Sequence, residues 1–286
     1  MADAGAGTIQ QLLDQTAEQL RAVSDSAILD AEVLLCQCLR KNRSFLRAWP
    51  EHQPSDQQTA QFLELIERRL QGQPVAYLTG EREFWSLTFK VSPAVLIPRP
   101  ESELLIELGL TLLPNQPGAK AIDLGTGSGI LAVTLAVERP LAAIFATDIS
   151  AEALAIAKLN AEQLSANNIR LTQSNWFDAI LERDFDLVIS NPPYIAADDP
   201  HLRQGDVRFE PSGALVSADN GLRDIRLIAQ QARRHLKSGG QLLIEHGYNQ
   251  RTEVQAIFEA LDYRQVTTHN DLSGHPRVTS GVWNPV

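Results

Sequence analysis

The sequence predicts an α/β protein: a doubly wound, mostly parallel seven-stranded sheet, preceded by a small all-α N-terminal domain and a β-hairpin linker. Three observations carry this. From about residue 98 onward, short β-rich runs alternate with amphipathic helical runs, the pattern of a parallel sheet covered on both faces. Residues 8–75 place apolar side chains at helical spacing throughout. Between them, "FWSLTFKVSPAVLI" (84–97) alternates and is rich in β-formers, which reads as a hairpin. The resulting domains are 1–75, 76–97 and 98–286.

The first helix starts at Thr8, whose pairing with Gln11 has the form of a capping box, and carries Ile9, Leu12, Leu13, Ala17 and Leu20. A second starts near Ser26 and carries Ile28, Ala31, Leu35 and Leu39. A third follows Ser55 or Asp56, carries Phe62, Leu65, Ile66 and Leu70, and ends at "QGQP" (71–74). Arg40, Lys41, Arg43 and Arg47 form a basic knot after the second helix, expected to be a solvated loop, with a partner contact as the alternative. Strands are expected at 121–125, 142–148, 169–173, 185–190, 240–246, 263–269 and 277–283. The helices between them are amphipathic; Leu154, Ala157, Ala161 and Leu164 mark one. Only the turn "NDLSGHP" separates the last two strands, so they should form an antiparallel edge hairpin.

Composition narrows the function. Of 286 residues, 44% are hydrophobic and 21% charged, a globular balance. Net charge is −10: residues 1–75 carry 7 basic and 10 acidic side chains (−3), the remainder 18 and 25 (−7). Neither part is basic, which argues against direct nucleic-acid binding. The start "MADAGAG" lacks the basic and apolar regions of a signal peptide. No run approaches the about 20 apolar residues of a membrane span. Cys36 and Cys38 fall on different faces of a helix, suiting neither a disulfide nor a metal pair, and a reducing cytoplasm fits. The six histidines, 52, 201, 235, 246, 269 and 275, have no metal spacing, so no metal is expected.

Three strand ends carry the chemistry. "DLGTGSG" (123–129) runs from a strand through Gly125, Gly127 and Gly129 into a helix near Ile130, a turn that lets backbone approach a ligand closely. A dinucleotide fingerprint would want glycine at 130, where this chain has Ile. The next strand ends at Asp148, placed to accept hydrogen bonds from ribose hydroxyls; Ser150 is at least as good a cap for the helix that follows. The third runs into "SNWFD" (174–178), where Trp176 offers a flat face to an adenine ring. These residues point to adenosine without separating NAD from other adenosine cofactors. The fourth, "FDLVIS", ends on Asn191-Pro192-Pro193-Tyr194. Prolines cannot extend a central strand, and they force Asn191 toward an extended conformation. An amide, two imide carbonyls and a ring are thereby held at the sheet edge.

With these four landmarks in strand order, the chain resembles a class I, Rossmann-like S-adenosylmethionine-dependent methyltransferase. It is most similar to the PrmC/HemK family, the peptide chain release factor N5-glutamine methyltransferases. Segments 73–103, 205–221 and "GHPRVT" (274–279) extend the likeness over nearly the whole chain. The resemblance implies that Gly125, Thr126, Gly127, Ser128 and Gly129 cradle the methionine part of the cofactor. It implies that Asp148 binds its ribose and Trp176 its adenine. Asn191, Pro192, Pro193 and Tyr194 would form the catalytic amide site, with Asn191 also beside the cofactor. Some relatives carry Asp where this chain has Asn175, whose amide oxygen can still accept a hydrogen bond. "RPESE" stands where many have Asp-Thr-Glu after Arg-Pro.

The implied reaction methylates the glutamine of the GGQ motif in release factors 1 and 2, in translation termination, and leaves S-adenosyl-L-homocysteine. An amide nitrogen is a poor nucleophile because its lone pair is delocalised. Asn191 and the Pro192 carbonyl could accept its two hydrogens while Tyr194 stacks on the amide plane, which amounts to orientation and electrostatics. The enzyme is expected to be a cytoplasmic monomer, with residues 1–75 docking the substrate and "DVRFEP" (206–211), through Arg208 and Phe209, as a near contact. The competing readings are a ribosomal-protein glutamine methyltransferase, an adenine-N6 methyltransferase acting on nucleic acid, an NAD-dependent oxidoreductase and a silent adenosine-binding scaffold.

Overall fold

In the computed structural model, residues 7–285 are described; the reading of the extreme N-terminus as free of a signal peptide lies mostly outside them. The chain divides into two compact units. One runs up to Gly80 and includes Arg203–Phe209; the other comprises Glu81–Leu202 and the residues from Glu210 on.

The first unit holds α1 (Ile9–Leu20), α2 (Ala27–Leu39), α3 (Arg43–Ala48), α4 (Asp56–Leu70) and α5 (Val75–Thr79). Reciprocal capping boxes start α1 (Thr8 with Gln11) and α4 (Ser55 with Gln58). Of the basic stretch expected to be a loop, Arg43 and Arg47 instead lie in the short helix α3, which the Asn42 side chain caps by accepting from the Phe45 N–H; Arg40 and Lys41 form the turn between α2 and α3. Ile9, Leu20, Leu34, Leu35 and Phe62 are fully buried at the centre. Arg69 is buried between Asp30 (2.8 Å) and Asp206 (3.1 Å), and Asp30 also accepts from the Ser24 and Ser26 hydroxyls. Arg203–Phe209 belongs to this unit although it follows the Asn191–Tyr194 loop in sequence.

The second unit opens with the hairpin β1 (Glu81–Phe84) and β2 (Leu87–Lys90). It lies earlier than the expected 84–97, because its turn falls at Trp85 and Ser86, both with positive φ (53° and 58°). Asn-Gly is the usual turn of that type, so Trp-Ser gives no warning of it. The Glu103 carboxylate accepts from the Trp85 N–H at 2.8 Å and helps hold the turn. There follow α6 (Glu103–Leu112), β3 (Lys120–Leu124), α7 (Ile130–Glu138), β4 (Ala143–Asp148), α8 (Ala151–Gln163), β5 (Ile169–Gln173) and β6 (Phe185–Ser190). After β6 come α9 (Ala218–Gly221, one irregular turn), α10 (Arg223–Ala232), β7 (Leu236–Glu245), α11 (Arg251–Ala260), β8 (Arg264–Asn270) and β9 (Pro276–Trp283).

The sheet order is β5-β4-β3-β6-β7-β9-β8, with β9 antiparallel to both neighbours and the other pairs parallel. Side chains alternate between two cores, as the period-two geometry of strands requires. Ala121, Leu187 and Ile189 pack with α6 and α7, while Ile122, Val188 and Leu242 pack with α10 and α11. The chain passes from β3 outward through β4 and β5, then returns to β6 on the other side of β3. That makes the β3/β6 border the switch point where open α/β sheets bind ligands. Leu124 pairs with both Thr147 and Ser190, and Ser190 pairs with Ile244. Gly125, Asp148, Asn191 and Glu245 therefore come off four adjacent strands at one level. Among the described residues, no helix is long and apolar enough to cross a membrane.

Candidate active site

A cavity of about 410 Å³ opens at these strand ends. Gly125, Thr126, Gly127, Ser128, Asp148, Trp176, Asn191 and Pro193 line it. Gly129, Pro192 and Tyr194 lie outside the lining. Gly129 is the cap residue of α7, Pro192 is buried, and the Tyr194 ring packs against the core under α10 and α11.

The loop after β3 is held from beneath. The Gly125 and Thr126 N–H groups donate to the Thr147 carbonyl (2.9 and 2.8 Å). Gly125 has φ of 73°, and a Cβ there would stand 3.1 Å from the Trp176 ring, so the glycine lets the indole lie close over the loop. Asp148 accepts from the Gly127 N–H through Oδ2 (2.8 Å) and from the Ser150 N–H through Oδ1 (2.9 Å). Ser150 itself caps α8 by accepting from Ala153. A carboxylate has about four lone-pair sites; Asp148 uses two on the chain and keeps two. The Asn175 Nδ2 donates to Asp178 at 3.2 Å, with Asn175 in the cavity wall.

Asp123, which the sequence reading left without a role, is buried under this loop. Its Oδ2 accepts from the Thr126 hydroxyl (2.6 Å) and the Ala132 N–H (3.2 Å), while Oδ1 is buried without a hydrogen-bond partner. Burial, above all, pushes its carboxyl up to about 7, against the two hydrogen bonds, and the neighbouring Asp148 adds to the rise.

The Asn191–Tyr194 loop is fixed from several sides. Gln250, nearly buried, donates Nε2 to the Tyr194 and Asn220 carbonyls, both at 3.0 Å. Ile195 forms an isolated bridge with Val216. Gly221 has φ of 86°, and a Cβ there would fall 2.0 Å from the Tyr194 carbonyl oxygen, so only glycine admits the loop. The Asn191 Nδ2 donates to the Ser102 Oγ at 3.0 Å, and the Ser102 hydroxyl donates to Glu245 Oε2 at 2.7 Å. The Tyr194 hydroxyl donates to Glu245 Oε1 at 3.3 Å. Burial and this carboxyl hold the Tyr194 phenol well above its usual range. Burial likewise pushes Glu245 up to about 7, against hydrogen bonds from Ser102 and Tyr194 and the charge of Arg277.

Arg99, also in the lining, grips Glu210 with Nη2 at 2.8 Å from each carboxylate oxygen, and the Glu210 side chain is fully buried. Arg99, Ser102, Glu245 and Gln250 were not singled out from sequence. Their partners lie far along the chain, 143 residues for Ser102 and Glu245, so no local spacing marks them. Among the described residues, no three His, Cys, Asp or Glu side chains gather where they could hold a metal ion.

Comparison with known proteins gives the site its context. The PrmC N-terminal domain family matches residues 11–80, and the methyltransferase small domain family matches residues 101–208. The release factor glutamine methyltransferase of Shewanella oneidensis is 48% identical over 275 residues, 96% of each chain. That of Escherichia coli K12 is 47% identical over 272 residues, 95% of this chain and 98% of its own. A methyltransferase from Pyrococcus furiosus superposes with TM-score 0.55 at 20% identity, over 77% of this chain and 98% of that one. The 16S rRNA N2 G1207 methyltransferase of T. thermophilus, in complex with AdoMet and guanosine, gives TM-score 0.51 at 20% identity over 71% and 50%. These two likenesses bear on the fold alone. With nearly half of its residues shared along almost its whole length, the chain belongs to the release factor glutamine methyltransferase family.

Proposed function

We propose that this chain transfers the methyl group of S-adenosyl-L-methionine to the side-chain nitrogen, N5, of the glutamine in the GGQ motif of peptide chain release factors, in the cytoplasm. The observation that carries the reading is Asn191: its Nδ2 is taken up by Ser102, and its Oδ1 has no donor from the chain among the described residues, in the wall of the cavity that Asp148 and the glycine loop also line. The relatives matched over nearly the whole length are named release factor glutamine methyltransferases.

The residues fit the donor. The open glycine loop leaves room against backbone, Asp148 keeps lone pairs for two ribose hydroxyls, and Trp176 offers a ring face beside Gly125. Ile130, Leu131 and Ile149 supply apolar wall. When bound, the donor supplies an electrophilic methyl group on a sulfonium. Asn191 Oδ1 accepts a hydrogen of the substrate amide, which orients the nitrogen and raises its electron density. With the donor held by the glycine loop, Asp148 and Trp176, its methyl group would pass from sulfur to the amide nitrogen, and one amide hydrogen would leave as a proton to solvent. Pro193 helps close the wall. Tyr194, tied to Glu245 and Gln250, braces the loop from behind. The helical unit is the docking surface that selects the release factor, because one glutamine offers little binding energy of its own.

The test is mass spectrometry of a recombinant release factor incubated with enzyme and donor. The expected result is one added methyl on the peptide bearing the GGQ glutamine. No incorporation into intact factor, with the enzyme folded and donor-bound, overturns the reading.

A further inference from the structure

We propose that Glu245, acting through Ser102, is a positioning residue that sets which way the Asn191 amide faces. The inference rests on the reading of Asn191 as the acceptor for the substrate amide, and it deepens that reading.

An Asn side chain can present either its oxygen or its NH2 to the same place, and the two ends differ little in shape. At the substrate site the choice decides function. An oxygen accepts from the NH2 of a glutamine amide; an NH2 group would oppose it donor to donor. The selection is made behind Asn191. Ser102 is fully buried and has a single hydroxyl hydrogen. An ionised Glu245 can only accept, so it draws that hydrogen onto Oε2 at 2.7 Å. Ser102 is left with lone pairs toward Asn191, and the group that meets them at 3.0 Å must be the NH2. The oxygen is then turned to the cavity. Tyr194, donating to Oε1, completes the acceptor-only state of the carboxylate.

Protonation of Glu245 on Oε2 reverses the chain. The acid would donate to Ser102, Ser102 would donate to Asn191, and the amide would turn its NH2 outward. The groups that bear on this proton are Ser102 and Glu101 of the turn after Arg99, Tyr194 of the loop after β6, and Arg277 of β9. Arg277 in turn is paired with Asp271 (3.2 Å). His246, just after β7, bonds Thr279 and the Gly247 carbonyl, and burial holds its imidazole below the usual range. With the Glu245 acid poised near 7, the direction of the chain changes over an accessible pH range.

Full-length wild type, E245Q, S102A, S102T and N191A are compared for kcat and KM on intact release factor, with donor affinity by titration calorimetry. E245Q and S102A are expected to lose kcat by about 10–100-fold, by analogy with residues that orient metal ligands, with KM and donor affinity near wild type. S102T, which keeps the hydroxyl, is expected to recover most of that loss. Wild-type kcat is expected to rise with pH through about 7, and E245Q to lack that limb. Wild-type kcat in S102A together with an unchanged acid limb in E245Q overturns the inference, even if N191A is inactive. Should E245Q fail to fold, as absence of donor binding would reveal, S102A decides alone: an unchanged kcat overturns it. Full activity in N191A instead removes the reading of Asn191 itself, which separates the two failures.

Discussion

Asp148 and Asn191 stand at one level of the sheet, at the ends of β4 and β6 on either side of β3. Asp148 holds the Gly127 and Ser150 N–H groups and keeps two lone pairs for ligand. D148A is expected to lose two hydrogen bonds to a charged acceptor, each about 1.5–3 kcal/mol, so donor affinity should fall on the order of 10²–10⁴-fold; calorimetric affinity equal to wild type would remove the assignment. N191A is expected to leave donor affinity near wild type and to cut turnover on the order of 10²–10³-fold, the scale for removing one preorganised partner of a reacting group. Turnover within a few-fold of wild type would place Asn191 away from the reaction. Both residues were legible in the sequence because each ends a recognisable strand. Asp123 stood in the quoted "DLGTGSG" yet went unread, since only the fold reveals that its carboxyl is sealed under Thr126 and Ala132.

At the scale of elements, the loop after β6 depends on what lies against it. The chain at Gly221 comes so near the Tyr194 carbonyl that a methyl group would stand 2.0 Å from it, in a backbone conformation side chains disfavour. G221A is therefore expected to shift the Asn191–Tyr194 loop, lowering kcat more than donor affinity and lowering Tm; unchanged kcat would show that the loop tolerates displacement. The parallel strands and their helices were readable from alternation and capping. The hairpin was misplaced because Trp85-Ser86 is an unfamiliar turn, rescued by the distant Glu103 carboxylate. The helix α3 leaves little trace in the sequence because its six residues bury only Leu46, and the Asn42 cap alone marks its start. Glu245 and Gln250 could not be foreseen, as their bonds to Ser102, Tyr194 and Asn220 join residues far apart in the chain.

For the whole molecule, two sealed carboxyls govern the response to pH. Asp123 and Glu245 are both raised to about 7 in the folded chain, so the folded state binds protons that the unfolded chain releases nearer pH 4. Their contribution to stability is full below the unfolded value and is lost as pH rises through about 7. Tm without ligand is expected to fall over that interval, and D123N to flatten the fall; a profile identical to wild type in D123N would show the carboxyl not to be the source. Docking is expected to involve the helical unit, where Ile28 and Leu29 are 60% and 43% exposed at the start of α2. The double change I28S/L29S is expected to raise KM for intact release factor and leave turnover of a short glutamine peptide unchanged; equal effects on both substrates would move the docking surface elsewhere.

Arg69 accepts its second acidic partner from residue 206, a part of the chain made long after the helices that surround it. A ribosome releases the N-terminal end first, and domains ordinarily fold in that order. Here the helical unit can gather its five helices early, with Asp30 as sole counterion for a buried guanidinium. It reaches its final composition only when Arg203–Phe209 has emerged, by which time β3 through β6 have also been synthesised. The helical unit thus gains its closing segment only after the strand that ends on Asn191 has been made, so a nascent chain cut short before residue 203 carries the helices but not that segment.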